Sequence, residues 1–199
     1  MFRSDFKCND QMQIMFAVDT SSNVGGNYIR EMRSFLRSFI RSFDIKSGGA
    51  RFSFATFDDA PKLKILFDAY ETESDLIKII SKISTSGGKT RRIDLLLDLA
   101  ASVFDEEDDD SARKVLIVAT TNPDSSIRLS DRITLQDKVN RVKENGAEIF
   151  YVGVGESTDE ARIVSSSPKE KHVINSLNSG TLRKSSTMAA QAVCDSILP

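Results

Sequence analysis

Asp19-Thr20-Ser21-Ser22-Asn23 is the stretch of this chain best supplied with groups that could do chemistry. It offers a carboxylate, three hydroxyls and an amide in succession, with no His or Cys beside them. Hard oxygen donors of this kind suit Mg²⁺ or a similar ion rather than zinc. Asp, Ser and Asn are also the usual helix caps, and on this stretch alone capping accounts for them.

Two further polar loops carry comparable groups. Gly87-Gly88-Lys89-Thr90 ends a run of apolar residues, and Thr120-Thr121-Asn122-Pro123-Asp124 follows Val115-Leu116-Ile117-Val118-Ala119. Whether the three can cooperate depends on the elements that carry them. Ile14-Met15-Phe16-Ala17-Val18, the Val115–Ala119 run and Ile149-Phe150-Tyr151-Val152 are apolar throughout, as strands buried on both faces of a parallel sheet are. Residues 28–43 read as a helix, because Ile29, Met32, Phe35, Leu36, Phe39, Ile40 and Phe43 recur at helical spacing. Residues 51–57 and 62–67, broken by Asp58-Asp59-Ala60-Pro61, read as a hairpin. Helices are expected over 76–83, 93–104 and 135–145, the last stopping at Gly146. Beyond residue 155 the pattern weakens to a helix at 159–164, a strand near 171–174 and a helix over 186–197.

Alternating strands and helices predict an α/β fold: a doubly wound, Rossmann-like, mostly parallel sheet of six strands, one antiparallel at an edge, with helices on both faces. Counting directions along it brings the Asp19, 84–91 and 120–124 loops to one rim, the carboxyl-end rim where open α/β sheets bind ligands. The acidic run Asp105–Asp110 falls on the opposite rim, where it is expected to be a solvated, mobile loop rather than a Ca²⁺ site. Both chain ends fall there too, which puts Cys8 and Cys194 within reach of each other.

Composition narrows the classes. A chain of 199 residues with 40% hydrophobic content can bury one core, so one domain is expected over 1–199. A net charge of −2 gives no electrostatic reason to expect nucleic acid. No apolar run approaches membrane-spanning length, so no membrane insertion is expected, and the first five residues are too short and polar for a signal peptide.

In order and spacing, Asp19-x-Ser21-x-Asn23, Gly87-Gly88-x-Thr90, the strand leading to Thr120, and Gly153-Val154-Gly155 together resemble a von Willebrand factor type A domain, of the integrin-inserted and extracellular-matrix kind. The resemblance covers about residues 11–197. It implies a metal-ion-dependent adhesion site (MIDAS) on the rim, built from Asp-x-Ser-x-Ser, a Thr and an Asp. Asp19, Ser21 and Thr90 match by position, whereas Asn23 stands for the second Ser and Thr121 for the Asp. An Asn oxygen can still coordinate. Thr121 removes one of two carboxylates that would neutralise a divalent ion, so the resemblance implies a degenerate site in which Mg²⁺ binding is weak or absent. Asp124 and Glu156 are candidate substitute carboxylates on the same rim. The resemblance further implies a secreted or extracellular protein, a Cys8–Cys194 disulfide, and an adhesion or matrix module for a protein ligand, collagen or another matrix component.

Other functions were weighed against the same residues. Arg30, Arg33, Arg37 and Arg41 form a stripe along one helix, which offers metal-independent binding of sulfated glycans as an alternative. Asp19 at a strand end is placed like the nucleophile of haloacid dehalogenase-like phosphatases, but those need a second Asp where Ser21 stands. Gly87-Gly88-Lys89-Thr90 lacks the glycine at position 83 and the preceding strand of a phosphate-binding loop. No nucleophile is paired with a base, so no enzyme is expected. The lone His172 suits a surface or core role better than catalysis.

Overall fold

The computed structural model describes residues 6–45, 48–121, 129–156 and 158–196. Its central strand β1 (Met12–Asp19) is buried at every position, as its unbroken apolar run requires. Around it the chain runs α1 (Gly25–Ile40), β2 (Ala50–Phe57), β3 (Pro61–Ile65), α2 (Glu73–Ser81), α3 (Ile93–Glu106), β4 (Arg113–Thr121), α4 (Leu129–Glu144) and β5 (Ala147–Val154). It continues through the short helices α5 (Asp159–Val164) and α6 (Lys169–His172), strand β6 (Val173–Ser176), a single turn α7 (Ser179–Leu182), a 3-10 turn, and α8 (Ser186–Asp195).

The six strands lie in the order β3-β2-β1-β4-β5-β6, with β3 the one antiparallel member. This is the doubly wound sheet expected, and its handed crossovers put helices on both faces. Ile14, Phe16 and Val18 face α1 and α8, while Met15 and Ala17 face the α3 and α4 side. The phenylalanines of α1 give the first face its shape: Phe39 meets Phe16 edge-on at 5.0 Å between ring centres, and stacks on Phe43 at 4.9 Å. Below the sheet Cys8 bridges to Cys194, with their Cα atoms 5.9 Å apart. The bridge ties the segment before β1 to the last helix.

Several expectations need adjusting. Helix α4 begins six residues before the predicted Leu135, because its long polar face hides its period; Leu135, Val139 and Val142 are its buried stripe. Strand β6 lies two residues later than expected, with Ile174 and Ser176 inward. The turn α7 buries only Leu182, too little for any periodicity to announce it.

The arginine stripe makes contacts that its sequence does not announce. Arg33 donates from Nε to the Ile83 carbonyl at 2.7 Å, Arg37 from Nη2 to Ser81 Oγ at 3.0 Å, and Arg41 from Nε to Glu73 Oε1 at 2.9 Å. Arg30 pairs with neighbouring Glu31. Three of the four arginines therefore reach the 73–83 segment in or beside α2, while the Arg30 and Arg41 side chains stay 68% and 62% exposed, so the stripe is part seam and part basic surface. The acidic run is likewise pinned. Its first two residues complete α3, Asp108 pairs with Lys114, and Asp109 pairs with Arg51 and caps Ser111.

Candidate functional site

Parallel alignment of β1, β2 and β4 delivers their carboxyl ends to one edge. There Asp19 is fully buried. Its Oδ1 accepts the Ser21 N–H at 2.9 Å, a turn that folds the loop back over the strand end, and its Oδ2 accepts the Thr120 hydroxyl at 2.6 Å. Thr120, rather than Thr121, is thus the side chain from β4 that meets Asp19.

From Thr120 the contacts run on through an ion pair. Arg91, just before α3, donates from Nη1 to Thr120 Oγ1 at 3.1 Å and to the Thr121 carbonyl at 2.6 Å. Its Nη2 reaches Glu160 Oε2 on α5 at 2.9 Å, and Glu160 Oε1 accepts the Tyr151 hydroxyl at 2.9 Å. The Arg91 and Glu160 side chains are only 16% and 11% exposed. Burial pushes the Glu160 carboxyl above its ordinary range, against the pull of Arg91 and Tyr151. Burial likewise holds the Tyr151 and Tyr28 phenols well above theirs, with the Asp19 charge adding to both.

The first loop grips the second. Ser22 donates from its N–H and its hydroxyl to the Gly88 carbonyl, and the Asn23 amide donates to the Lys89 carbonyl at 3.1 Å. Ser86 closes the same seam onto the Thr20 carbonyl. Gly88 is required here: a Cβ would lie 2.6 Å from the Asp58 Cβ. The hairpin turn between β2 and β3 forms a fourth side of the rim. Asp59 Oδ1 accepts the Thr90 hydroxyl at 2.5 Å and the N–H groups of Thr90 and Lys89, which hold its carboxyl below the ordinary range.

Of the predicted site residues, Asp19 and Ser21 sit together, Asn23 and Thr90 are committed to Lys89 and Asp59, and Thr121 contributes its carbonyl to Arg91. Glu156 is exposed, and Asp124 lies outside the described residues. Asp58, Asp59 and Glu160 are further carboxylates of the rim network and are not singled out by the sequence, nor is Arg91. Direction counting alone places Asp59, since β2 runs parallel to β1 and its far turn must lie on the same rim. No comparable signal marks Arg91 or Glu160. Among the described residues, Asp19 is the carboxylate that meets both Ser21 and Thr120, and a guanidinium lies one hydroxyl away from it. Among the described residues, two buried hydroxyls at this end, Ser21 Oγ and Tyr28 OH, have no hydrogen-bond partner.

The family model of the von Willebrand factor type A domain matches residues 13–187. Human cochlin is 25% identical over 166 residues, covering 83% of this chain and 29% of cochlin. Human von Willebrand factor A domain-containing protein 2 is 25% identical over 195 residues, covering 96% of this chain and 25% of that protein. The chain thus spans less than a third of either relative. Among solved structures, proximal thread matrix protein 1 from the mussel byssus, in a form with a zinc-occupied MIDAS motif, superposes with a TM-score of 0.82 at 17% identity, over 94% of this chain and 49% of that one.

Proposed function

The chain belongs to the von Willebrand factor type A domain family, and from that premise we propose that it is an extracellular adhesion or matrix module binding a protein ligand through its carboxyl-end rim. Collagen or another matrix component is the ligand class proposed, and dependence on Mg²⁺ is weakened or lost. The observation that carries the reading is the convergence of four loops on buried Asp19, with backbone and side chains locked to one another across the rim. Such a surface is rigid enough to recognise a partner without folding around it.

Its chemistry favours recognition over reaction. The Asp19 carboxylate is held on both oxygens by donors, so it is poorly placed to attack a phosphoryl group. Among the described residues Ser21 Oγ has no base beside it. His172 lies on the lower half of the sheet's far edge, where Nδ1 meets the Pro168 carbonyl and Nε2 approaches Glu148. Placement outside the cell draws support from the Cys8–Cys194 bridge, which persists in oxidising compartments.

The test is surface plasmon resonance of the oxidised domain against immobilised collagens and other matrix proteins, with and without EDTA. Binding that survives chelator, falls at least about tenfold in Lys89→Glu, and is unchanged in Asp110→Asn on the opposite rim supports the reading. Binding indifferent to Lys89→Glu and to other exposed rim substitutions overturns it. Steep weakening by salt, without any rim dependence, would instead favour an ionic helix face.

A further inference from the structure

We propose that the Arg91 guanidinium is the resident cation of the rim, holding Asp19 and Glu160 in the role a divalent ion would otherwise fill. The inference deepens the proposed loss of metal dependence by naming the group responsible. Its test uses the metal alone, so it stands or fails whatever the ligand proves to be.

Three observations carry it. First, Arg91 is built into the site rather than laid across it: its side chain is 16% exposed, and Nη1 forks onto Thr120 Oγ1 and the Thr121 carbonyl while Nη2 pairs with Glu160. The Thr120 hydroxyl lies between that guanidinium and the Asp19 carboxylate, bonded to each. Second, the Thr121 carbonyl, at the position where the resemblance places the missing carboxylate, is already engaged by Arg91. Third, the site needs a positive charge in place. Asp19 is fully buried and Glu160 nearly so, and burying carboxylates without a positive partner is costly. Arg91 supplies that charge permanently, since guanidinium does not deprotonate in proteins. A dication entering beside it would face fixed repulsion, and would have to displace an arginine whose fork geometry is already satisfied.

Removing the guanidinium should therefore create a cation site. Mn²⁺ serves as the probe on the full, oxidised chain, read by paramagnetic broadening of backbone amide signals and by thermal shift. In the native sequence the Ser21 and Thr120 amides should stay sharp at millimolar Mn²⁺, and neither Mn²⁺ nor EDTA should move the melting temperature. Arg91→Ala should bind Mn²⁺ at least about tenfold more tightly than the native chain, broadening Ser21, and adding Asp19→Asn should abolish the gain. Arg91→Lys, which keeps the charge, should keep Mn²⁺ out. If Arg91→Ala does not fold by itself, Mn²⁺ in the refolding buffer should restore it. Saturable broadening of Ser21 in the native chain that is lost in Asp19→Asn would overturn the proposal. So would a folded Arg91→Ala indifferent to Mn²⁺, or an unfolded one that Mn²⁺ does not rescue.

Discussion

Each end of the sheet carries a buried arginine–glutamate pair, and the two are used differently. At the upper rim Arg91 meets Glu160, Thr120 and the Thr121 carbonyl, all within the loops that surround Asp19. At the lower end Arg113 donates to the Val193 and Cys194 carbonyls and to Ser196 Oγ, and pairs with Glu148 at 3.4 Å. The lower pair fastens the end of α8 to the sheet beside the disulfide. The upper one gathers the ends of several strands and fastens nothing terminal.

Their glutamates titrate in opposite senses. Burial pushes both up, but at Glu148 the nearby His172 ring, the hydrogen bond from Ser196 and the Arg113 charge outweigh it, so its carboxyl lies below the ordinary range. At Glu160 burial prevails over Arg91 and Tyr151, helped by the Asp19 charge. Both carboxylates are hydrogen-bonded; what separates them is that burial wins at Glu160 and loses at Glu148.

The strongest way to break this comparison is to cut the lower tie. Cys8→Ser with Cys194→Ser should cost about 2–5 kcal/mol of stability by chemical denaturation. The Ser21 and Thr120 amide shifts should remain in place. Rim shifts that moved with the bridge would mean that the two ends form one unit. Gly88→Ala tests the reverse direction. Its Cβ would collide with Asp58 and should cost about 1–3 kcal/mol, with the spectral changes confined to the rim.

The smallest effect sharpens the contrast through pH. Glu148, depressed in the folded state, contributes stability that is present above its unfolded pKa and is lost as pH falls through the folded one. Glu160, raised in the folded state, has the opposite sign: its contribution is greatest at low pH and is lost as pH rises through the folded value. Hydrogen exchange during mild acidification should therefore show protection falling earlier around β5, β6 and α8 than around Thr120 and Arg91. Simultaneous loss at both ends would erase the distinction.

Much of the architecture could be read from apolar patterning alone. The runs through Phe16, Ile117 and Phe150 are uninterrupted because those strands have covered faces on both sides, and the Phe-rich stripe of α1 repeats because it packs on one of them. The rim was legible only as a place. Periodicity reports which residues are buried, and it is silent about which donor a buried carboxylate selects. Arg91 and Arg92 show the limit: adjacent and identical in type, the first turns inward to Glu160, while the second pairs locally with Asp94 at 2.6 Å on the surface. Glu160 reads as an ordinary acidic residue in the first turn of a short helix, and nothing in that short helix signals that it closes over Tyr151. The contacts of Arg37 and Arg41 are hidden for the same reason, since their partners Ser81 and Glu73 lie 44 and 32 residues away.

The Cys8–Cys194 bond has a mechanical consequence. The two sulfurs join the chain just before the sheet begins to the end of its last helix, so tension applied to the backbone outside them passes through the S–S link and leaves the strands between them unloaded. In any longer chain the domain would hang from the line of force as a closed loop, able to keep its grip on a partner while the tether around it is stretched.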